Sequence, residues 1–154
     1  MNGNNPKSTA SIAGHPIHPM LIPFPVAFLV TALVTDIVFW RTGYEIWATA
    51  STWFLGAGVI MALVAALFGF TDFLGDARIR DISAAWQHLI GNLIAVLLAF
   101  INWVIRYNSG AADGVFPWGF WISLLTVLLL LFNGWKGWEM VYRYHVGVAD
   151  SPGK

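Results

Sequence analysis

Four long apolar stretches separated by short polar ones set the pattern of this chain. The first runs from about Met20 to Trp40, the second from about Ile46 to Phe70, and the third from about Ala84 to Arg106. The fourth opens at Pro117 and reaches roughly Trp138, with helix expected to run on into Tyr142. A helix of about 20 residues crosses a hydrocarbon layer of about 30 Å, so each stretch is long enough to span a membrane. The predicted fold is all-α, an integral membrane four-helix bundle. Pro23 and Pro25 fall in the opening turn of the first span, where a missing N–H costs little. Arg41 to Glu45 reads as a tight turn, Asp72 to Asp81 as a charged connection, and the segment up to Phe116 as a Gly/Asn/Asp loop.

Within the spans, the few polar and small residues fall on lines. At 100° per residue, His88, Asn92, Ala95, Ala99 and Asn102 lie within about 40° of one line, which should face the bundle interior. Trp86, Ile90, Leu93, Leu97, Ile101 and Val104 occupy the opposite side. The fourth span offers a matching line of Gly119, Ser123, Thr126, Asn133, Gly137 and Tyr144. The second carries Gly58, Ala62, Ala65 and Gly69, small residues that let helix backbones approach closely in lipid. Asn92 and Asn133 are placed to hydrogen-bond across the bundle as structural glue. Asp36 stands inside the first span, about five residues or 7–8 Å from Arg41. An acid at that depth is a functional candidate, although an interfacial carboxylate near Arg41 or a neighbouring helix is the preferred reading.

Composition agrees with a lipid solvent. Hydrophobic residues make up 58% of the 154 and charged ones 10%, with mean hydropathy +0.67. A soluble domain needs about a quarter of its residues charged, and four spans leave no room for one. The expected organisation is a flexible polar segment (1–13), one four-span domain (14–148) and a short tail (149–154). The first apolar run is too long for a signal peptide and has no small-x-small cleavage site, so it is expected to be retained. Zero net charge argues against nucleic acid as a partner. The absence of cysteine excludes disulfides, cysteine-ligated iron–sulfur clusters and covalently attached haem.

Two aromatic belts support the span limits. Trp40, Tyr44, Trp47, Trp53, Trp103, Tyr107, Trp118 and Trp121 gather at one set of span ends, and Trp86, Trp135, Trp138, Tyr142 and Tyr144 at the other. With four spans both termini share a side. That side holds Lys7, Arg78, Arg80, Lys136, Arg143 and Lys154 against Arg41 and Arg106 opposite, which predicts both termini in the cytoplasm.

The candidate chemistry lies in the histidines. Gly14-His15-Pro16-Ile17-His18-Pro19 precedes the first span; an extended, polyproline-like path would point His15 and His18 the same way. His88 lies one turn into the third span and His145 follows the fourth, so all four histidines share one membrane face. Imidazoles bind haem iron and transition metals. His15, His18 and His88 are therefore candidate ligands, with Asp72 completing a metal site and Asn92 holding the free nitrogen of His88. Arg78, Arg80 or Lys136 would stand near haem propionates. His145 reads as solvated. Three function classes follow: a haem b or metal-binding redox module with a redox protein partner, a non-catalytic membrane anchor or subunit of a larger complex, and, least favoured, a small transporter. No catalytic motif is present, and homo-oligomerisation is open.

Together these motifs resemble a family of small bacterial four-span membrane proteins catalogued as domain of unknown function 2231. Its His-Pro-x-His-Pro opening is matched by His15 to Pro19, its Gly-Phe-x-Asp element by Gly69 to Leu74, and its His-x-x-x-Asn element by His88 to Asn92. Gly134-Trp135, Gly137, Val141-Tyr142 and Gly147-Val148 resemble its tail, so the match covers about residues 14–148. The resemblance implies a multi-pass protein of the bacterial inner membrane. Family members that accompany Rieske-type iron–sulfur domains hint at redox work. One departure stands out: Tyr144 occupies the place expected for a tail histidine, and His145 comes one residue later.

Overall fold

The computed structural model describes residues 5–149. A small hairpin of β1 (Ser11–Ile12) and β2 (His15–Pro16) leads into α1 (Ile17–Leu21) and α2 (Pro23–Thr42). Then come α3 (Glu45–Gly75), the short α4 (Ala77–Arg80), α5 (Ser83–Ser109), a kinked turn over Val115–Gly119, and α6 (Phe120–Tyr142). Four helical segments are long and apolar enough to cross a membrane: Ile17–Thr42, Glu45–Gly75, Ser83–Ser109 and Val115–Tyr142. The four-helix membrane fold is as expected. Residues 1–4, and Lys154 with the rest of the tail from 150, lie outside the described residues.

Local chemistry sets the helix ends. Gly43 closes α2 in the left-handed region (φ 70°), donating to the Phe39 carbonyl at 2.8 Å. Asp76 starts α4 by accepting from the Arg78 amide at 3.0 Å. The Arg78 guanidinium bound to the same carboxylate holds its pKa well below the usual carboxylate range. Arg80 donates to the Phe73 and Leu74 carbonyls at 3.0 and 2.6 Å, satisfying the orphan oxygens that end α3.

The helices pack as two antiparallel pairs, α2 with α3 and α5 with α6, closed into a ring by α3 on α5 and α2 on α6. The interior lines are those read from the sequence, except that Tyr144 lies beyond α6 and is exposed. Ala95, Ala99 and Asn102 are buried along α5, and Gly119, Ser123, Thr126 and Asn133 along the last span. Ile90, Leu93, Leu97 and Ile101 point outward and are exposed. Gly58 admits Leu29 of α2 so closely that a Cβ there would lie 2.7 Å from a Leu29 methyl.

Near the end of the bundle away from the termini, one ionic cluster ties all four spans together. Arg106 forks onto Asp36 with Nη1–Oδ1 at 2.6 Å and Nη2–Oδ2 at 2.7 Å, both side chains fully buried. Arg106 also donates to Ser51, Ser123 and Asn102 at 2.7, 3.1 and 3.1 Å. Of the two partners expected for Asp36, the structure shows the neighbouring helices and not Arg41. Five residues along a helix is about 140° of rotation, so the two side chains face different ways, and Arg41 is exposed.

Three further features depart from the sequence reading. The second span continues to Gly75, so Asp72 sits on helix rather than in a connection. The His-Pro-Ile-His-Pro stretch is half strand and half helix, because Pro19 falls third in α1, where no backbone donor is needed. The segment from residue 5 to 13, expected to be flexible, is bonded to α3 and to the tail: Ala10 N and Ser8 Oγ donate to Asp72, and Gly147 N donates to the Pro6 carbonyl.

Candidate functional site

At the end of the bundle nearest the termini, the interior opens into a cavity of about 470 Å³. Its walls are mostly apolar, with contributions from α2 (Leu29), α3 (Ala65), α5 (Leu89) and α6 (Val141), and two imidazoles, His18 and His88, line it. The rings stand 6.3 Å apart, centroid to centroid, with their planes at 89°.

Each imidazole is held by the same device. His18 Nδ1 lies 2.8 Å from the Ala65 carbonyl, and His88 Nδ1 lies 2.9 Å from the Asn133 carbonyl. A carbonyl only accepts, so each Nδ1 carries a proton, and in the neutral ring the lone pair is on Nε2. Neither Nε2 has a hydrogen-bond partner among the described residues. Four residues beyond each carbonyl, on the same helix face, is a glycine under the ring. A Cβ at Gly69 would come within 2.9 Å of His18 Cε1 and Nδ1; one at Gly137 would come within 3.3 Å of His88 Cε1. A carbonyl at one position and a glycine one turn later thus builds a seat for an imidazole, once on α3 and once on α6.

The other expected site residues fall elsewhere. His15 is exposed on β2, because the chain turns from strand to helix between it and His18. Asp72 Oδ1 accepts from Ser8 Oγ and Ala10 N, both at 2.8 Å, and from Thr9 Oγ1 at 3.4 Å. The set His15, His18, His88 and Asp72 is therefore not assembled. Among the described residues, no group of three His, Cys, Asp or Glu side chains is placed to hold a metal ion.

Asn92 does not reach the His88 ring. Its Nδ2 donates to the His88 carbonyl at 2.9 Å, while its Oδ1 accepts from Asn133 across the bundle at 3.2 Å, the inter-helix bond expected of this pair. The remaining Asn133 Oδ1 is buried without a partner, directed at Gly91, where a Cβ would collide with it. His145 is exposed at φ 54°.

Arg78, Arg80 and Lys136 bind Asp76, the α3 carbonyls and Glu139, and none lines the cavity. Sequence reasoning missed the two carbonyl seats. The visible signal was the pair of interior glycines, Gly69 and Gly137, on the helix lines that face the histidines.

Four apolar helices around a histidine-lined interior define a small polytopic membrane bundle. A family model described as a predicted membrane protein, DUF2231, matches residues 14–150, and the chain belongs to that family. No curated protein and no solved structure matches it significantly.

Proposed function

We propose that His18 and His88 would hold a b-type haem in the cavity, which would make this protein a membrane electron-transfer module. The supporting observation is the paired seating of the two rings. Their centroids stand 6.3 Å apart, close enough for one group to be held between the two rings. Both Nδ1 protons are committed to carbonyls, which leaves Nε2 as the coordinating atom and fixes ring orientation, as outer-shell partners of metal-bound histidines do.

Haem is favoured over a bare ion for two reasons. Two imidazoles leave an ion short of protein ligands, whereas a tetrapyrrole brings four of its own. A mostly apolar space of about 470 Å³ suits a flat apolar cofactor and lies within the usual range of ligand pockets. Bound haem would supply one-electron chemistry; the chain's own residues would orient the two imidazoles that hold it and exclude water. His15, Asp72 and Asn92 take no part in ligation on this reading. We further infer that the protein sits in the bacterial inner membrane with both termini and the cavity at the cytoplasmic face, and exchanges electrons with a redox protein partner.

The test is an absorption spectrum of the protein purified from haem-replete cells and of the same protein titrated with haemin. The expected result is a sharp Soret band with split visible bands on reduction and one haem per chain. His18→Ala and His88→Ala should each convert the low-spin spectrum or abolish binding, while His15→Ala and His145→Ala leave it unchanged. A colourless protein that ignores haemin overturns the reading and favours a membrane anchor or subunit whose partner carries the chemistry.

A further inference from the structure

Resting on the haem reading, we propose that residues 8–18 form a hinged roof over the cavity, that Asp72 is its latch and hence a positioning residue for His18, and that haem enters and leaves beneath this roof. The hairpin turns tightly through Ala13 and Gly14, both at positive φ (50° and 81°), the geometry of a two-residue hairpin. Its hydrogen bonds to α3 centre on one carboxylate oxygen, with one more from Thr9 Oγ1 to the Thr71 carbonyl at 2.9 Å. Asp72 Oδ1 gathers Ser8 Oγ, Thr9 Oγ1 and the Ala10 amide. The Ala10 carbonyl in turn accepts from Ile17 N at 3.0 Å, and Ile17 is the residue before His18. Latch, strand and ligand are therefore linked in series.

The helix beneath is built to receive this segment. Ala65, Gly69 and Asp72 lie at i, i+4 and i+7, one face of α3, and hold His18 Nδ1, the His18 ring and the strap in turn. Ser8 and Pro16 of the roof line the cavity directly, together with Val146 and Gly147 of the tail. The floor and walls are long helices packed on one another, whereas the roof is a hairpin of two-residue strands held by side-chain hydrogen bonds. Opening it removes one imidazole and uncovers the cavity in a single movement. That is the step a ligand-loading route needs.

The chain contains no cysteine, so a background-free crosslink can decide the point. A Cβ at Gly75 would lie 2.9 Å from the Thr9 Cβ, close enough for a bridge after a small shift. In Thr9→Cys/Gly75→Cys, oxidation should stop haemin uptake by the haem-free protein and haem loss to an excess of apomyoglobin, and reduction should restore both. Asp72→Ala should speed haem loss about tenfold or more, the scale of one lost charge-assisted hydrogen bond, and raise the high-spin fraction as His18 detaches. Asp72→Asn, which keeps the accepting oxygen, should lie near wild type.

A readout without haem separates the two ideas. In the haem-free protein, Asp72→Ala should accelerate hydrogen exchange at the Ala10 and Ile17 amides while α5 and α6 amides stay protected. If no variant binds haem but those amides respond, the haem reading fails and the latch stands. If haem binds but oxidation leaves uptake unchanged, or the two amides do not respond, the latch is overturned.

Discussion

Arg106 stands three residues from the end of α5, where a sequence reader counts it among the loop charges. Its guanidinium is instead fully buried and bonded to Asp36, Ser51, Asn102 and Ser123, contributed by the other three spans and its own. Removing one partner of such a pair leaves an uncompensated charge in a medium that cannot solvate it. Arg106→Met and Asp36→Leu should therefore each destabilise the bundle by about 3–5 kcal/mol. Arg106→Lys should do little better, since an ammonium cannot match the planar fork. Thermal unfolding in detergent measures all three; a shift of a few degrees or less for Arg106→Met would mean the cluster is dispensable. Asp36 was legible as unusual because an acid inside an apolar helix is costly. Its partner was not, because residues 36 and 106 meet only through tertiary packing. The histidines divide in the same way. The motif drew attention to His18, but only the bundle shows which carbonyl seats it.

At the scale of single helices, lines of small residues were readable from periodicity, and their detailed use was not. The α5 line from His88 to Asn102 does face the interior, because 3.6-residue geometry leaves no other side for it. Periodicity places Gly69 and Gly137 on interior lines and leaves Gly134 off them, and their surroundings differ in the same sense. A Cβ at Gly69 would press on the His18 ring at 2.9 Å, one at Gly137 would meet His88 at 3.3 Å, and one at Gly134 would meet nothing within 4 Å. The alanine substitutions should follow that order. Gly69→Ala should weaken haem binding about 10–100-fold, the range found when groups that orient a metal ligand are lost. Gly137→Ala should do so less, and Gly134→Ala should be close to silent. Haemin titration gives all three; equal effects would mean that the glycines serve helix packing rather than the imidazoles. The length of α3 was misjudged for a related reason. Asp72 looks like a helix stop in an apolar pattern, yet its carboxylate is satisfied by the strap and so can ride on a helix.

For the whole molecule, the buried ion pair also sharpens the topology. Counted by composition, two basic residues stand at the end away from the termini; counted by structure, Arg106 is neutralised inside the bundle and only Arg41 is exposed there. At the other end, Lys7 lies just before the hairpin, Arg78 and Arg80 on α4, Lys136 near the end of α6 and Arg143 just after it. Basic residues in short segments beside spans resist translocation, so the end carrying five should stay in the cytoplasm. Reporter fusions test this: one joined after Gly43 should be active in the periplasm, and one joined after the last residue active in the cytoplasm. Neutralising Arg78, Arg80 and Arg143 together should weaken the preference, whereas Arg106→Met should leave the orientation unchanged and only reduce the amount of folded protein. A C-terminal fusion active only in the periplasm would overturn the orientation. It would also move the histidine cavity to the outer face, where the electron partner we propose would have to be a periplasmic protein.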